Sequence, residues 1–150
     1  MIPDQKYTPY ELGLGRLVQL GKGPFVGHSA LRVEGARGPR RQIVGLEVNW
    51  LDVEALYDRA GLPPVAPSTA SRTAVPVLHG ERQVGRATTT AWSPTMKRLV
   101  AIACVESRYA AEGARLRLEI SIEGTRHFVG AAVVATPFFN PSRKTATPPL

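Results

Sequence analysis

The residues best able to bind a metal ion are few in this chain and lie far apart. Its three histidines are His28, His79 and His127, and Cys104 is its only cysteine. Zinc sites use several Cys or His ligands at close, regular spacing, which these residues do not have. The sequence therefore predicts no metal site, and a single cysteine allows no disulfide within the chain.

Motifs for nucleophilic catalysis and phosphate binding are also missing. No Gly-x-Ser-x-Gly segment is present to expose a reactive serine. Gly13-Leu-Gly15 lacks the third glycine of a dinucleotide-binding loop and the Lys-Ser/Thr pair of a phosphate-binding loop. We therefore predict no catalytic residue in this chain.

Short apolar segments separated by Gly and Pro turns dominate the rest of the sequence. They predict strands at 41–48, 74–79, 82–90, 98–107, 114–123 and 126–136, with a hairpin turn at His79-Gly80-Glu81. This regular spacing is typical of a small antiparallel β-barrel. The predicted fold is mainly β, a Greek-key-like barrel with a short N-terminal α/β lead-in.

Two helices are predicted between these segments. The first is short, with Ser29 as its N-cap, and ends at Gly35 and Gly38-Pro39. The second covers residues 52–60, because acidic residues occupy its first turn and Gly61 follows it.

The order of short motifs along the chain resembles a known family. A Gly-containing hairpin, a Val-Gly, a Thr-rich turn with Ser-Pro, an apolar strand and a final Pro-Phe-Phe-Asn-Pro follow one another at 75–81, 84–85, 88–94, 98–104 and 137–141. This succession is similar to the C-terminal barrel of the glycine-cleavage T-protein (aminomethyltransferase) superfamily. Residues 8–18 and 22–31 resemble the family's segment that leaves the folate-binding domain.

The resemblance implies a division of the chain into three parts. We expect residues 1–35 to be a remnant or linker of a folate-binding domain, 36–141 to be the barrel, and 142–150 to be a disordered tail. Segment 49–71, with its helix, looks like an insertion that covers a barrel end or a site, or caps exposed apolar surface. The folate-binding domain, with the aspartate on which the chemistry depends, would lie before Met1.

The function implied by the resemblance is tetrahydrofolate-dependent transfer of an aminomethyl or methyl group. This chain alone should be inactive, and should use tetrahydrofolate only together with an N-terminal folate domain. Its expected partner is the chain or domain that carries this half, or a second copy of itself. The alternative is a non-catalytic structural or interaction barrel that stabilises a partner chain.

Five residues are candidates for cofactor binding by the same resemblance. Glu11 matches the family's Thr-Pro-x-Glu position, where it would line the site or hold the linker through a salt bridge or a cap. Lys22 matches a basic position near folate's glutamate tail, or is an exposed turn lysine. Arg72 aligns with an arginine of the relatives that would face the cleft. Arg16 stands where T-proteins commonly have tryptophan, which puts the glycine-cleavage substrate in doubt. Trp92 would face the cleft or cover the open barrel end.

Charge and composition limit the remaining classes of function. The net charge of +7 and the pI near 10.2 suit an anionic partner. The dense cluster of Arg37, Arg40 and Arg41 has no interleaved aromatic residues, which disfavours nucleic-acid binding. No apolar stretch approaches the roughly 20 residues that cross a bilayer, and no secretory signal is visible. With one cysteine, these features predict a cytoplasmic protein without a membrane partner.

Overall fold

A computed structural model describes residues 6–144. Its helices are α1 (His28–Arg37) and α2 (Trp50–Arg59), and its strands are β1 (Arg41–Val48), β2 (Val75–His79), β3 (Arg82–Ser93), β4 (Arg98–Glu106), β5 (Arg115–Ile122) and β6 (Thr125–Val134). Short 3-10 turns lie at Gly15–Leu17, Leu20–Lys22, Ser107–Tyr109 and Ser142–Lys144. All the predicted strands are present, and only their ends differ.

The strands form one closed antiparallel barrel in the order β1-β4-β3-β2-β5-β6. β2, β3 and β4 follow one another along the chain, and β5 returns to pair with β2. This order, β5-β2-β3-β4, is a Greek key. The predicted fold class is therefore confirmed.

Alternate residues of the strands point inward and fill the barrel, as the period of two requires. The largest fully buried side chains are Leu46, Val77, Val105, Leu118 and Val129. Val53 and Leu56 of α2 belong to the same core cluster. Since α2 directly follows β1, it covers the barrel end at which β1, β3 and β5 finish.

The start of α2 is fixed to β6 by hydrogen bonds. Asn49 is the N-cap, because its side chain accepts from Leu51 N at 3.2 Å, and α2 therefore begins at Trp50, two residues earlier than predicted. Asn49 N donates to Gly130 O at 2.8 Å, and Gly130 N donates to Asp52 Oδ2 at 2.7 Å.

The predicted N-cap of α1 is wrong. Gly27 occupies this position with a φ of 90°, a conformation that favours glycine, so Ser29 is the second residue of the helix. α1 continues through Gly35 and ends before Gly38, which has a φ of 85°. None of its residues is buried. The regular structure of the lead-in, within the described residues, consists of α1 and two 3-10 turns.

Trp92 lies in β3 and not in the turn where the sequence placed it. It pairs with Leu99 of β4, and Ser93 pairs with Arg98, so the hairpin turn is formed by residues 94–97. The reason is that β3 and β4 continue to pair beyond a register shift between Ala87 and Thr89.

The two chain ends are described only in part. Residues 142–144 of the predicted tail form a 3-10 turn. Residues 145–150 of this tail, and residues 1–5 of the predicted linker, lie outside the described range.

β3 lies unusually close to the β4 backbone at Gly85. A Cβ at this position would lie 2.3 Å from Cys104 O and 2.8 Å from Val105 Cα. Because backbone atoms cannot rotate away, Gly85→Ala should lower the free energy of unfolding by about 1–3 kcal/mol. Urea unfolding measures this, with Gly21→Ala as the control, since nothing lies within 4 Å of its added Cβ. Equal losses for the two variants would contradict the close approach.

Candidate functional site

The Thr-Pro-Tyr-Glu segment folds into one helical turn that is stabilised by its own side chains. Glu11 N donates to Thr8 Oγ1 at 3.2 Å, and Thr8 N donates to Glu11 Oε2 at 3.2 Å. This reciprocal pair is a capping box, and Pro9 takes the first helical position, where its missing N–H is not needed. The motif thus fixes the direction of the Glu11 carboxylate.

Glu11 connects the lead-in to the barrel through an ion pair with Arg41. Only 5% of Glu11 is exposed, and it is the one buried charged residue in the described chain. Its Oε1 accepts from Arg41 Nε at 3.1 Å, and Arg41 Nη2 also donates to Lys6 O at 3.0 Å. The hydrogen bond with Glu11 raises the pKa of Arg41, against a smaller lowering by burial. This geometry ties the lead-in to the first residue of β1.

Tyr7 extends the contact across the outside of the barrel to β3. Arg86 Nη2 and Nε donate to Tyr7 Oη at 2.7 and 3.1 Å. The Tyr7 ring centroid lies 4.8 Å from Arg41 Cζ and 5.8 Å from Arg86 Cζ, within the range of cation–π attraction. We call Tyr7, Glu11, Arg41, Arg86 and the adjacent Cys104 the junction cluster.

Cys104 is buried on the outer face of the barrel. Its neighbours Ala103 and Val105 belong to the core, so the alternation of β4 directs Cys104 outward. There it lines a small pocket of about 190 Å³ with Tyr7 and Arg41. Burial raises the pKa of the Cys104 thiol, and the positive charge of Arg41 opposes this shift.

Arg16 and Lys22 lie on the two 3-10 turns of the lead-in. Both side chains are exposed, and Lys22 Nζ lies 4.7 Å from the ring centroid of Phe25. Their charges are therefore available to an anionic group that approaches this face of the lead-in.

Arg72 and Trp92 lie at the barrel end instead. Arg72 is exposed and directly follows Ser71, which forms an isolated bridge with Thr90 of β3. Trp92 packs on Trp50 of α2, with ring centroids 4.9 Å apart and planes inclined at 57°. Trp92 thus connects β3 to the helix that covers the barrel end.

The structure does not gather the five predicted site residues into one place. No described hydrogen bond, ion pair or ring contact joins any two of them. Within residues 6–144 there is no group of three His, Cys, Asp or Glu side chains that could hold a metal ion. In the same range, no helix combines the length and apolar character needed to cross a membrane. The junction cluster can position a segment, but it presents no exposed nucleophile.

From the sequence alone, Arg41 belonged to a basic cluster and to the start of a predicted strand, and Arg86 had no predicted role. The spacing of Thr8 and Glu11 is that of a capping box, and it indicates a carboxylate held in a fixed direction. No local signal identifies Arg86 as the residue that binds Tyr7, since 79 positions separate them.

Comparison with known proteins identifies the family. Residues 58–140 match the glycine cleavage T-protein C-terminal barrel domain. The chain belongs to this family, as its motifs predicted.

Individual relatives match most of this chain but only a part of themselves. An aminomethyltransferase of Bacillus pumilus is 34% identical over 133 residues, which are 88% of this chain and 31% of the relative. One from Prochlorococcus marinus is 31% identical over 137 residues, 91% of this chain and 31% of the relative. This chain therefore spans less than a third of the length of these two relatives.

A solved structure shares the fold. Glycine cleavage system aminomethyltransferase T from Bartonella henselae superposes with a TM-score of 0.64 at 21% identity. The match covers 88% of this chain and 32% of that protein.

The Glu11–Arg41 pair can be tested through the exposure of Cys104. Glu11→Gln leaves the guanidinium of Arg41, whose side chain is 21% exposed, without its carboxylate. We expect a loss of about 1–3 kcal/mol in unfolding free energy. Cys104 should also react faster with a thiol reagent, because the turn that follows Tyr7 is held less firmly to β1. Glu112→Gln, at an exposed position without a described partner, is the control. Unchanged stability and labelling would show that the pair does not hold the lead-in.

The raised pKa of Cys104 predicts that stability depends on pH. The thiol stays neutral in the folded chain at pH values where the unfolded chain ionises, so its contribution is complete below the unfolded pKa and decreases as pH rises. Between about pH 8 and 10, the free energy of unfolding should fall by at most about 1.4 kcal/mol per pH unit from this group. Cys104→Ala should have the smaller slope when urea unfolding is followed across this range. Parallel profiles for the two proteins would refute the assignment.

Proposed function

We propose that this chain is the C-terminal barrel of a tetrahydrofolate-dependent aminomethyl- or methyltransferase. The observation that carries the proposal is the family match at 58–140, together with relatives named aminomethyltransferase of which this chain covers 31%. The remaining length of such an enzyme would supply the folate-binding half and the reactive carboxylate. In this proposal the barrel positions that half, contributes cations to the site, and is inactive alone.

The apolar surface of the lead-in supports a docking role. Among the ten large hydrophobic residues that are exposed in the described chain, five lie there: Leu12, Leu14, Leu17, Val26 and Val33. α1 buries none of its own residues against the barrel. Exposed apolar groups concentrated in one segment are typical of an interaction surface. We propose that the folate-binding half covers this face.

The charges of the lead-in support an anionic ligand beside that surface. Between residues 12 and 40 there are five Arg or Lys residues and one acidic residue, Glu34. Glu34 already accepts a hydrogen bond from Thr8 Oγ1 at 2.7 Å. The glutamate tail of folate carries carboxylates that exposed Arg and Lys side chains bind well. Arg16 and Lys22 are therefore our proposed tail contacts, with Arg72 as a third cation from the barrel end.

Glu11 and Trp92 take positioning roles in this proposal. Glu11 is already engaged by Arg41 and by its own capping box, so its carboxylate serves to hold the lead-in in place. Trp92 is packed on Trp50 and closes the barrel end. Both residues act on the cofactor through the segments they fix.

A structural barrel that stabilises a partner chain without touching folate is the second candidate. The separation of the five residues between the lead-in and the barrel end favours it, because one bound cofactor would have to reach both places. In that case the partner would retain its folate affinity when the cations of this chain are removed.

Calorimetric titration of tetrahydrofolate separates the two candidates. The protein is titrated alone, with the product of the gene directly upstream, and with the isolated N-terminal two thirds of the Bacillus pumilus relative. We expect binding only in a mixture that also forms a complex. A failure of both mixtures to bind tetrahydrofolate and to form a complex would overturn the transferase proposal.

Charge-neutralising variants then show whether this chain contacts the cofactor. Arg16→Gln, Lys22→Gln and Arg72→Gln should each weaken tetrahydrofolate binding by about threefold to tenfold while the complex still forms. Arg115→Gln, at an exposed position outside the lead-in, is the matched control. Unchanged affinity in all three variants would favour the structural barrel.

A further inference from the structure

A second concave site lies at the barrel end, outside the junction cluster. Its volume is about 360 Å³, within the range of about 300–1,000 Å³ that small-molecule sites occupy. Trp50, Val53 and Tyr57 of α2 line one side, and Val65 and Pro67 of the following loop line another. We call this site the barrel-end cleft.

The cleft exists because the barrel is weakly closed at this point. β2 and β5 pair only at Val77 and Leu78 of β2, so residues 119–122 of β5 line the cleft instead of meeting a neighbour on this side. Pro76 has no N–H with which to extend the ladder. The loop before β2 contributes Ser71 as its single isolated bridge.

Glu119 is the one charged residue among those that line this cleft. Its side chain is only 11% exposed, yet no described hydrogen bond reaches it. Its one described ion pair is with Arg126, whose Nε lies 3.8 Å from Oε1 and whose side chain is 78% exposed. Such a long pair with an exposed arginine contributes little. None of the described side chains that are not exposed has a buried oxygen or nitrogen without a hydrogen-bond partner, so the Glu119 oxygens are accessible to an approaching group. Its negative charge can therefore attract a cation that enters the cleft.

We propose that the barrel-end cleft binds a small organic amine that has an apolar or aromatic body. The ammonium group pairs with Glu119, and the body packs against the faces of Trp50 and Tyr57, which also attract a cation. An anion would be repelled by Glu119, and a wholly apolar ligand would gain nothing from its charge. Hydroxyl groups of Ser71, Thr73 and Thr90 in the wall give further polar contacts.

This binding does not depend on the proposed folate chemistry. The cleft is built from α2, the loop after it and the ends of the strands, and the lead-in does not line it. The protein by itself is therefore sufficient for the test.

The test uses 2-phenylethylamine as the probe and tryptophan fluorescence as the signal, since Trp50 lines the cleft and the chain has two tryptophans. The neutral isostere 2-phenylethanol and the anion phenylacetate are titrated in parallel. We expect the amine to bind at least about tenfold more tightly than the alcohol. Glu119→Gln should remove this preference, whereas Glu112→Gln, which is exposed and does not line the cleft, should keep it.

A second variant tests whether the amine occupies the barrel-end cleft. Ser121 is exposed and lines the cleft, so Ser121→Trp should fill it without disturbing the core and should abolish amine binding. Circular dichroism checks that both variants remain folded. The proposal is overturned by equal affinity for amine and alcohol, by an unchanged preference in Glu119→Gln, or by no saturable amine binding up to about 10 mM.

Discussion

Closure of the six-stranded sheet is the constraint on which the other features of this protein depend. A closed barrel leaves few unpaired strand edges, and its narrow interior accepts only aliphatic side chains of limited size. Leu46 and Leu118 fill this space together with valines and alanines. With the interior occupied in this way, any polar chemistry must lie at the barrel ends or on its outer face. Both places carry the features of this chain that can bind other groups.

On the outer face, one buried ion pair decides where the lead-in lies. Glu11 and Arg41 are 30 residues apart, and their contact holds the capping-box turn against β1. Tyr7 then reaches Arg86 on β3 and covers Cys104. Burying these charges is favourable only because each is matched by hydrogen bonds. The result is a lead-in with one fixed end and an apolar, basic face still open to a partner.

At the barrel end, incomplete strand pairing leaves an open space instead of fixing a segment in place. β2 and β5 share only two residue pairs, and α2 and the Pro-rich loop cover the gap without filling it. The space that remains has aromatic walls and the carboxylate of Glu119. The barrel therefore offers two separate surfaces of different chemistry: a cationic, apolar face on the lead-in and an acidic, aromatic cleft at the end. A domain that covers the first surface would leave the second available.

The sequence by itself determined the family, the strands and the absence of a recognisable nucleophile, because these depend on local patterns. Alternation of apolar residues marked β1 and β5, acidic residues marked α2, and the ordered motifs from Val75 to Pro141 marked the barrel. The tertiary structure alone decided which outward residues are buried. Cys104 points away from the core of β4, yet it is buried beside Tyr7, which is distant along the chain. Burial of that kind depends on long-range packing, which no local pattern encodes. For the same reason, only the folded chain separates Glu11 from Trp92 and brings Glu119 and Trp50 to one cleft.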